Sequence, residues 1–184
     1  MIVVMLEELF RLPGRERHLA AGEFLFHRGD PVAEMALVVA GEVRLVRHQD
    51  GGRPVILQRA AAGAVLAEAS LFSETYHCDA IAVIDSHVRL IDRRAMRRRF
   101  ASDSDFAARW VSHLAGEIKA ARTRTEILAL RTIGERLDAW LIWHGGLPEK
   151  GNWKQLAEEI GASPEALYRE LAKRKQKDQG AVSA

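Results

Sequence analysis

The sequence predicts an α+β protein with a β-rich first half, a long helix and a C-terminal helix-turn-helix. Three observations predict this architecture. Short runs of Val, Ile and Leu separated by turn residues occupy the first half, with the spacing of a sandwich or barrel-like roll. After Asp92 the apolar residues recur with a helical period. Near the C-terminus, a tight glycine turn joins two short amphipathic segments.

The strands are predicted from alternation and from turn residues. Residues 42–47 alternate polar and apolar side chains, as a half-buried strand does. Asp50-Gly51-Gly52 is a strong hairpin signal. Further strands are predicted within 22–31, which ends in a Gly-Asp-Pro turn, and at 35–40, 55–57, 80–84 and 87–91, and residues 1–10 are predicted as a short amphipathic helix.

Composition places the chain among ordinary globular proteins of one or two domains. It has 184 residues, of which 48% are hydrophobic and 28% charged. The single cysteine excludes an intramolecular disulfide framework and predicts a reducing, cytoplasmic setting. No apolar run approaches the roughly 18 residues of a membrane span, so no membrane partner is predicted.

A heptad-like seam predicts that the long helix pairs with a copy of itself to form a homodimer. Spacings of three and four residues separate Val111, Leu114, Ile118, Ala121, Thr125, Leu128 and Thr132. Alternatively, the helix packs on its own domain through a second stripe, formed by Phe106, Trp110, Leu130, Leu137 and Leu141. Gly145-Gly146-Leu147-Pro148 then breaks the helical pattern and marks a domain boundary.

The stretch 152–171 is the most informative part of the chain. Asn152 is predicted to cap a first helix, and Gly161 supplies the left-handed residue that ends it. Ser163 is predicted to cap a second helix that has Pro164 at its first position. The inward positions are Leu156, Ala157, Ile160, Leu167 and Leu171. This pattern predicts a helix-turn-helix, and an ordinary helical hairpin is the alternative.

The second helix of a helix-turn-helix enters the major groove of DNA. Arg169 can donate two hydrogen bonds to a guanine, and Glu165 can accept one from a cytosine amino group. The candidate DNA-binding residues are Asn152, Ser163, Glu165, Tyr168, Arg169 and Lys173. Basic runs at 93–99 and 173–177 permit nucleic-acid binding, but alone they are typical of solvated faces.

From about Leu19 to Lys173, the chain resembles the CRP/FNR superfamily, the cyclic-AMP receptor protein and its relatives. The resemblance is carried by LAAGEFLFHRGD at 19–30, by VVAGEVRL at 38–45 and by the helix-turn-helix. It implies a cyclic-nucleotide-binding-like effector domain at 1–100, a dimerisation helix and connector at 101–145, and a DNA-binding domain at 146–184. The dimer would read palindromic operators. The family's C-terminal wing is reduced or absent, because 173–180 is a basic, polar segment.

The effector pocket departs from the pattern of family members that bind cyclic AMP. Those members use a glutamate on the ribose and an Arg-Ser pair on the cyclic phosphate. Glu68 matches the glutamate, but Cys78-Asp79 stands where the Arg-Ser pair is expected. Asp79 would repel a phosphate, so cyclic AMP is not the expected effector.

The candidate effector residues are Glu68, Ser70, His77, Cys78 and Asp79. His77 and Cys78 could ligate a metal or a haem iron, or Cys78 could act as a redox-active thiol. Alternatively, the pair simply packs against the roll or the dimer helix, and a strand would direct the two side chains to opposite faces. The cofactor stays unknown, and an iron–sulfur cluster is excluded because the cysteine cluster of the oxygen-sensing members is missing.

Two functions follow from these observations. The first is a dimeric DNA-binding transcriptional regulator controlled by a non-cyclic-nucleotide signal, which is a metal, a haem, a redox event or a small molecule. The second is a dimeric binding module of the same fold that has lost sequence-specific DNA binding. An enzyme is not predicted, because the sequence has no nucleophile–base motif, phosphate loop or two-histidine metal motif.

Overall fold

The computed structural model describes residues 2–48 and 54–182, and their side chains except those of residues 2–5, 54 and 177–182. The predicted hairpin turn Asp50-Gly51-Gly52 lies outside the described residues. The chain divides into two compact units, Met1–Ser112 and His113–Ala184.

The first unit contains two four-stranded antiparallel sheets. One has the order β1-β8-β3-β6 and the other has the order β2-β7-β4-β5. The strands are β1 (Gly14–Leu19), β2 (Phe24–Phe26), β3 (Glu34–Ala40), β4 (Glu42–His48), β5 (Pro54–Ala61), β6 (Val65–Leu66), β7 (Asp79–Ala82) and β8 (Ser86–Asp92). The predicted β-rich roll is therefore confirmed.

The core of this unit is built by side chains that alternate along the strands. In β4, Val43 and Leu45 are buried, whereas Arg44 between them is only partly covered. A close approach of two strands requires Gly41, which has a φ of 87° and whose added Cβ would lie 2.3 Å from Ser86 Oγ. The glycine that ends an apolar run in the sequence is thus where β3 turns into β4 beside β8.

Six helices complete the described chain. They are α1 (Ile2–Arg11), α2 (Arg93–Ser102), α3 (Ser104–Ala129), α4 (Ile133–His144), α5 (Trp153–Glu159) and α6 (Pro164–Val182). The predicted N-terminal helix is confirmed as α1. None of the helices in the described ranges combines the length and the apolar character needed to cross a bilayer.

The predicted long helix is divided in two at Thr132. The Thr132 hydroxyl accepts a hydrogen bond from the Glu135 amide at 3.1 Å, and the Glu135 carboxylate accepts one from the Thr132 amide at 2.8 Å. This reciprocal capping box starts α4. The a/d seam predicted from the sequence therefore ends at Thr132. The hydroxyl of this residue accepts a hydrogen bond from the Glu135 amide and caps α4, so Thr132 does not continue α3.

The second unit packs α4, α5 and α6 together with the end of α3. Its buried residues are Ile127, Leu137, Trp140, Leu156, Ala157, Ile160, Leu167 and Leu171. All five positions predicted to face inward in the helix-turn-helix are among them. Gly161 has a φ of 64°, and it ends α5 as predicted.

Arg136 fastens the turn between α5 and α6 to the preceding helices. Its Nε donates to the Leu130 carbonyl at 2.8 Å, and its Nη1 donates to the carbonyls of Ile160 and Gly161, both at 3.3 Å. One guanidinium therefore satisfies carbonyl groups at the end of α5 and after α3. No sequence pattern indicates this role.

Replacing Gly161 by Ala is expected to destabilise the second unit by about 1–2 kcal/mol. The left-handed conformation disfavours a Cβ, and that atom would lie 2.9 Å from Leu128 Cδ2. Urea denaturation followed by tryptophan fluorescence measures the change.

Gly116→Ala is the matched control for this substitution. Gly116 lies within α3, and an added Cβ there would meet no atom within 4 Å. The control should be neutral or more stable by up to about 1 kcal/mol. Equal effects of the two substitutions would contradict the requirement for glycine in the turn.

Candidate functional site

Glu68 lies in a single 3-10 turn, Glu68–Ser70, directly after β6. Ala67 enters this turn in the left-handed region with a φ of 64°. The Gln58 side-chain amide of β5 donates to the Val65 carbonyl at 3.1 Å and to Glu68 Oε1 at 3.4 Å. The turn therefore holds Glu68 against β5, half-buried, while Ser70 is fully buried.

His77 and Cys78 have opposite environments. His77 is exposed, whereas Cys78 is 2% exposed and belongs to the core of the roll. The His77 ring instead lies near Ser70, with 3.5 Å between His77 Nδ1 and Ser70 Oγ. The structure thus brings His77 and Ser70 together and separates the side chains of His77 and Cys78.

The environment of Cys78 favours a neutral thiol. Burial raises the pKa of Cys78 to about 11, and the nearby charge of Arg47 lowers it by a smaller amount. A reactive thiolate requires the opposite shift, because the thiolate is the nucleophile and the metal ligand. The geometry therefore does not favour a redox-active Cys78.

Asp79 is surrounded by hydrogen-bond donors that sequence reasoning did not identify. It accepts a hydrogen bond from the Arg28 amide at 2.8 Å, which is the main reason that its pKa lies below the ordinary value. The Nδ1 atoms of His27 and His48 lie 3.5 Å and 3.3 Å from its two oxygens. Asp79 is therefore ionised at neutral pH.

Arg47 brings a cation to this region from β4. Its Nη2 donates to the His77 carbonyl at 2.9 Å, and its buried Nε has no hydrogen-bond partner among the described residues. The sequence does not indicate that Arg47 lies near His77. The two residues are neighbours because β4 pairs with β7, with Val46 opposite Asp79. The effector region thus contains a guanidinium, although the family's Arg-Ser pair is missing.

The metal hypothesis for His77 and Cys78 gains no further ligand from the described residues. In the part of the chain that the structure describes, no group of three or more His, Cys, Asp or Glu side chains is arranged to hold a metal ion. That His77 and Cys78 ligate a metal therefore stays a prediction.

The start of α6 is capped as predicted, whereas the start of α5 is not. Ser163 Oγ accepts a hydrogen bond from the Ala166 amide at 3.2 Å. Asn152 occupies the N-cap position of α5, but its side chain makes no capping hydrogen bond, so that prediction is wrong. The physical reason is that Asn152 ends a 3-10 turn, Lys150–Asn152, with a φ of −97° and a ψ of 5°, and so lacks the extended backbone typical of a capping residue.

The outward face of α6 carries the predicted DNA-reading side chains. Tyr168, Arg169 and Lys173 are exposed, whereas Leu167 and Leu171 are buried on the opposite side. Glu165 shares the outward face, one turn before Arg169. Hydrogen bonds from its own backbone amide and from the Ser163 hydroxyl hold the pKa of Glu165 below the ordinary value, so it is a carboxylate acceptor.

Within the basic run at 173–177, two lysines are exposed, whereas Arg174 is paired within the second unit. Lys173 and Lys175 are exposed. Arg174 instead turns inward, where it donates to the Gly134 carbonyl at 2.9 Å and pairs with Asp138 and Glu170. Arg174 therefore fixes α6 on α4, and α6 continues as a helix to Val182.

Comparison with known proteins agrees with this fold. Residues 16–103 match the family model of the cyclic nucleotide-binding domain. FixK2 from Bradyrhizobium japonicum is similar with a TM-score of 0.73 and 23% identity, over 91% of this chain and 87% of that chain. The c-di-GMP-responsive global regulator CLP from Xanthomonas campestris gives a TM-score of 0.68 and 21% identity, over 95% of this chain and 93% of that chain.

A CRP-family transcriptional regulator from Thermus thermophilus is also similar, with a TM-score of 0.62 and 19% identity over 88% of this chain and 85% of that chain. A search of curated protein sequences finds no match. The first unit thus contains a domain of the cyclic nucleotide-binding class. The chain has the fold of the CRP/FNR-type regulators, and the fold predicted from the resemblance to that superfamily is confirmed.

A thiol reagent reports on Cys78 alone, because the chain has one cysteine. With a pKa of about 11, Cys78 should react slowly with iodoacetamide at pH 7 and faster as the pH approaches that value. The chain unfolded in guanidinium, in which the thiol regains an ordinary pKa, is the control. Equally fast modification of the folded and unfolded protein at pH 7 would contradict a buried, protonated thiol.

Proposed function

We propose that this protein is a dimeric transcriptional regulator that reads DNA with α6 under the control of a signal other than a cyclic nucleotide. The carrying observation is the outward face of α6, which leaves Tyr168, Arg169 and Lys173 exposed above a fully buried inner face. Residues 1–100 would sense the signal, 101–145 would dimerise and connect, and 146–184 would bind DNA.

Arg169 and Glu165 supply complementary chemistry on this face. A guanidinium can donate two hydrogen bonds to the O6 and N7 atoms of a guanine, and a carboxylate can accept one from a cytosine N4. Lys173 and Asn152 are exposed, and we assign them to phosphate contacts, which would position the unit on the duplex. Ser163 contributes indirectly, because its hydroxyl already caps α6. The operator of a two-fold dimer would be palindromic.

Arg169→Ala is expected to weaken binding to an operator selected from random DNA by about 1–3 kcal/mol and to relax the preference at one base. Lys173→Ala should weaken binding to all sequences alike and reduce the salt slope by about one. Fluorescence anisotropy over a range of salt concentrations measures both effects.

Arg131→Ala is the matched control, because Arg131 is exposed between α3 and α4 and its loss removes the same charge. It should leave operator affinity nearly unchanged. The proposal fails if no sequence preference is selected, or if Arg169→Ala and Arg131→Ala have equal effects.

The dimer is proposed from α3. Ile118 and Leu128 of the predicted seam are 51% and 45% exposed, and Val111 is also exposed. Large apolar side chains at a/d spacing on one helix are suited to burial against the same helix of a second copy. The alternative stripe is used within the chain, since Phe106, Trp110 and Leu137 are buried.

Ile118→Glu is expected to raise the dissociation constant of the dimer by about tenfold or more, because it places a charge in an apolar seam. Light scattering after size-exclusion chromatography at several concentrations measures it. Lys119→Glu, at an exposed position of α3 outside the seam, is the control and should stay dimeric. A dimer that survives Ile118→Glu would contradict pairing through this seam.

The signal is proposed to differ from a cyclic nucleotide because Cys78 and Asp79 stand where the resemblance implies the Arg-Ser pair that holds the cyclic phosphate. Cys78 is buried and neutral, and Asp79 is an ionised acceptor. A ligand of the region around Glu68, Ser70 and His77 would instead meet the Arg47 guanidinium from β4. These groups suit a small molecule with both acceptors and donors more than a redox event at Cys78.

Calorimetric titration with cyclic AMP is expected to show no saturable binding up to millimolar concentration. Saturable binding that Glu68→Ala abolishes would contradict the proposed signal class. An absorption spectrum and metal analysis of the purified protein test the ligand hypothesis for His77 and Cys78. A haem band or stoichiometric metal, lost in His77→Ala, would make the signal metal-based.

The second candidate is a dimeric binding module of the same fold without sequence-specific DNA binding. It is favoured by one observation: α6 continues as a helix from Pro164 to Val182, through the segment where the resemblance places the start of the wing. Under this candidate, Arg169→Ala changes no measurable DNA affinity, which separates it from the regulator.

A further inference from the structure

A cavity of about 440 Å³ opens at the start of α2, in the first unit. Its charged lining residues are Glu74, Asp92, Arg93, Arg94 and Arg97. None of the candidate effector residues described above lines it. Its volume lies in the range of small-molecule sites, and three of the five charged groups are guanidinium groups.

Two of the charged groups are already used to build the site. Asp92 caps α2, because its Oδ1 accepts a hydrogen bond from the Ala95 amide at 2.6 Å. Arg93 donates to the Leu71 carbonyl at 2.9 Å and to the Val32 carbonyl at 3.1 Å. Both side chains thus hold the walls of the cavity in place.

Arg94 and Arg97 are the guanidinium groups that remain for a ligand. Both are exposed, and neither forms an ion pair with a described side chain of residues 6–48 or 55–176. The Arg97 guanidinium lies over the Phe72 ring, 5.8 Å from its centroid. Since the two arginines are three residues apart on one helix, they present their charges on the same side.

We propose that Arg94 and Arg97 bind the phosphate groups of a small organic phosphate in this cavity. Guanidinium groups recognise phosphate oxygens through pairs of parallel, charge-assisted hydrogen bonds. A cavity of about 440 Å³ is larger than an inorganic phosphate needs, so it has room for an organic part.

Glu74 adds a negative charge to the mostly basic lining of the cavity. Its carboxylate lies 3.4 Å from Arg93 Nη2, and its side chain is 91% exposed. An exposed pair of this kind is weak, so a phosphate competes for the cavity at little cost. Replacing Glu74 by Gln removes a negative charge that would repel the phosphate, so phosphate binding becomes stronger.

Calorimetric titration of the full chain with ADP and with pyrophosphate, at about 0.1 M salt, tests the site. ADP is expected to bind more tightly than pyrophosphate. Arg97→Ala should weaken ADP binding by about tenfold or more. Glu74→Gln should strengthen it several-fold.

Arg98→Ala is the matched control. Arg98 is an exposed arginine of α2 next to Arg97, but it does not line the cavity, so its loss removes the same charge without removing a ligand contact. Its effect on ADP affinity should stay within about twofold. Thermal denaturation of each variant checks that the fold is retained.

Four results would overturn the proposal. One is the absence of saturable binding for both probes. The second is equal weakening by Arg97→Ala and Arg98→Ala, which would indicate a diffuse basic face. The third is unchanged probe binding but weaker binding of a DNA duplex in Arg97→Ala, which would assign these arginines to nucleic acid. The fourth is equal affinity for ADP and pyrophosphate, because the proposed ligand has an organic part.

Discussion

The turn between α5 and α6 is the constraint on which the second unit depends. It closes in a left-handed conformation at Gly161, beside Leu128, with its carbonyl groups held by Arg136. A side chain at that position would push the end of α3 away from the turn. Because the turn is fixed, α6 buries Leu167 and leaves its opposite face to solvent. The same turn therefore decides which side chains of α6 pack in the core and which are exposed.

The first unit keeps the architecture of a cyclic nucleotide-binding domain while it changes the chemistry of the ligand region. A buried thiol and an ionised carboxylate stand where the sequence resemblance would place the Arg-Ser pair. The carboxylate of Asp79 is instead satisfied by the Arg28 amide and flanked by His27 and His48. Fold and side-chain chemistry are thus separable, because apolar alternation stabilises the sheets, whereas a few polar side chains set the chemistry around Asp79.

The sequence predicted elements best where a local rule has a single solution. Alternation identified β4, and the pair Ser163-Pro164 identified the start of α6, because capping and proline geometry are local. It failed at Asn152, where a 3-10 turn holds the backbone outside the conformation of a capping residue, and at Thr132, where a capping box begins a new helix. The apolar period reveals neither feature, although Thr132 and Glu135 have the spacing of a capping box in the sequence.

By itself, the sequence determined the order of the β-rich unit, the long helix and the helix-turn-helix. It also determined the apolar faces, and it has Cys78-Asp79 where the resemblance implies an Arg-Ser pair. Only the tertiary structure decided that Arg47 lies beside Cys78, that Arg136 holds the turn at Gly161, and which arginines of α2 line a cavity. Periodicity and capping act between residues close in sequence. Guanidinium contacts join residues distant in sequence, and their partners are fixed only when the strands and helices pack.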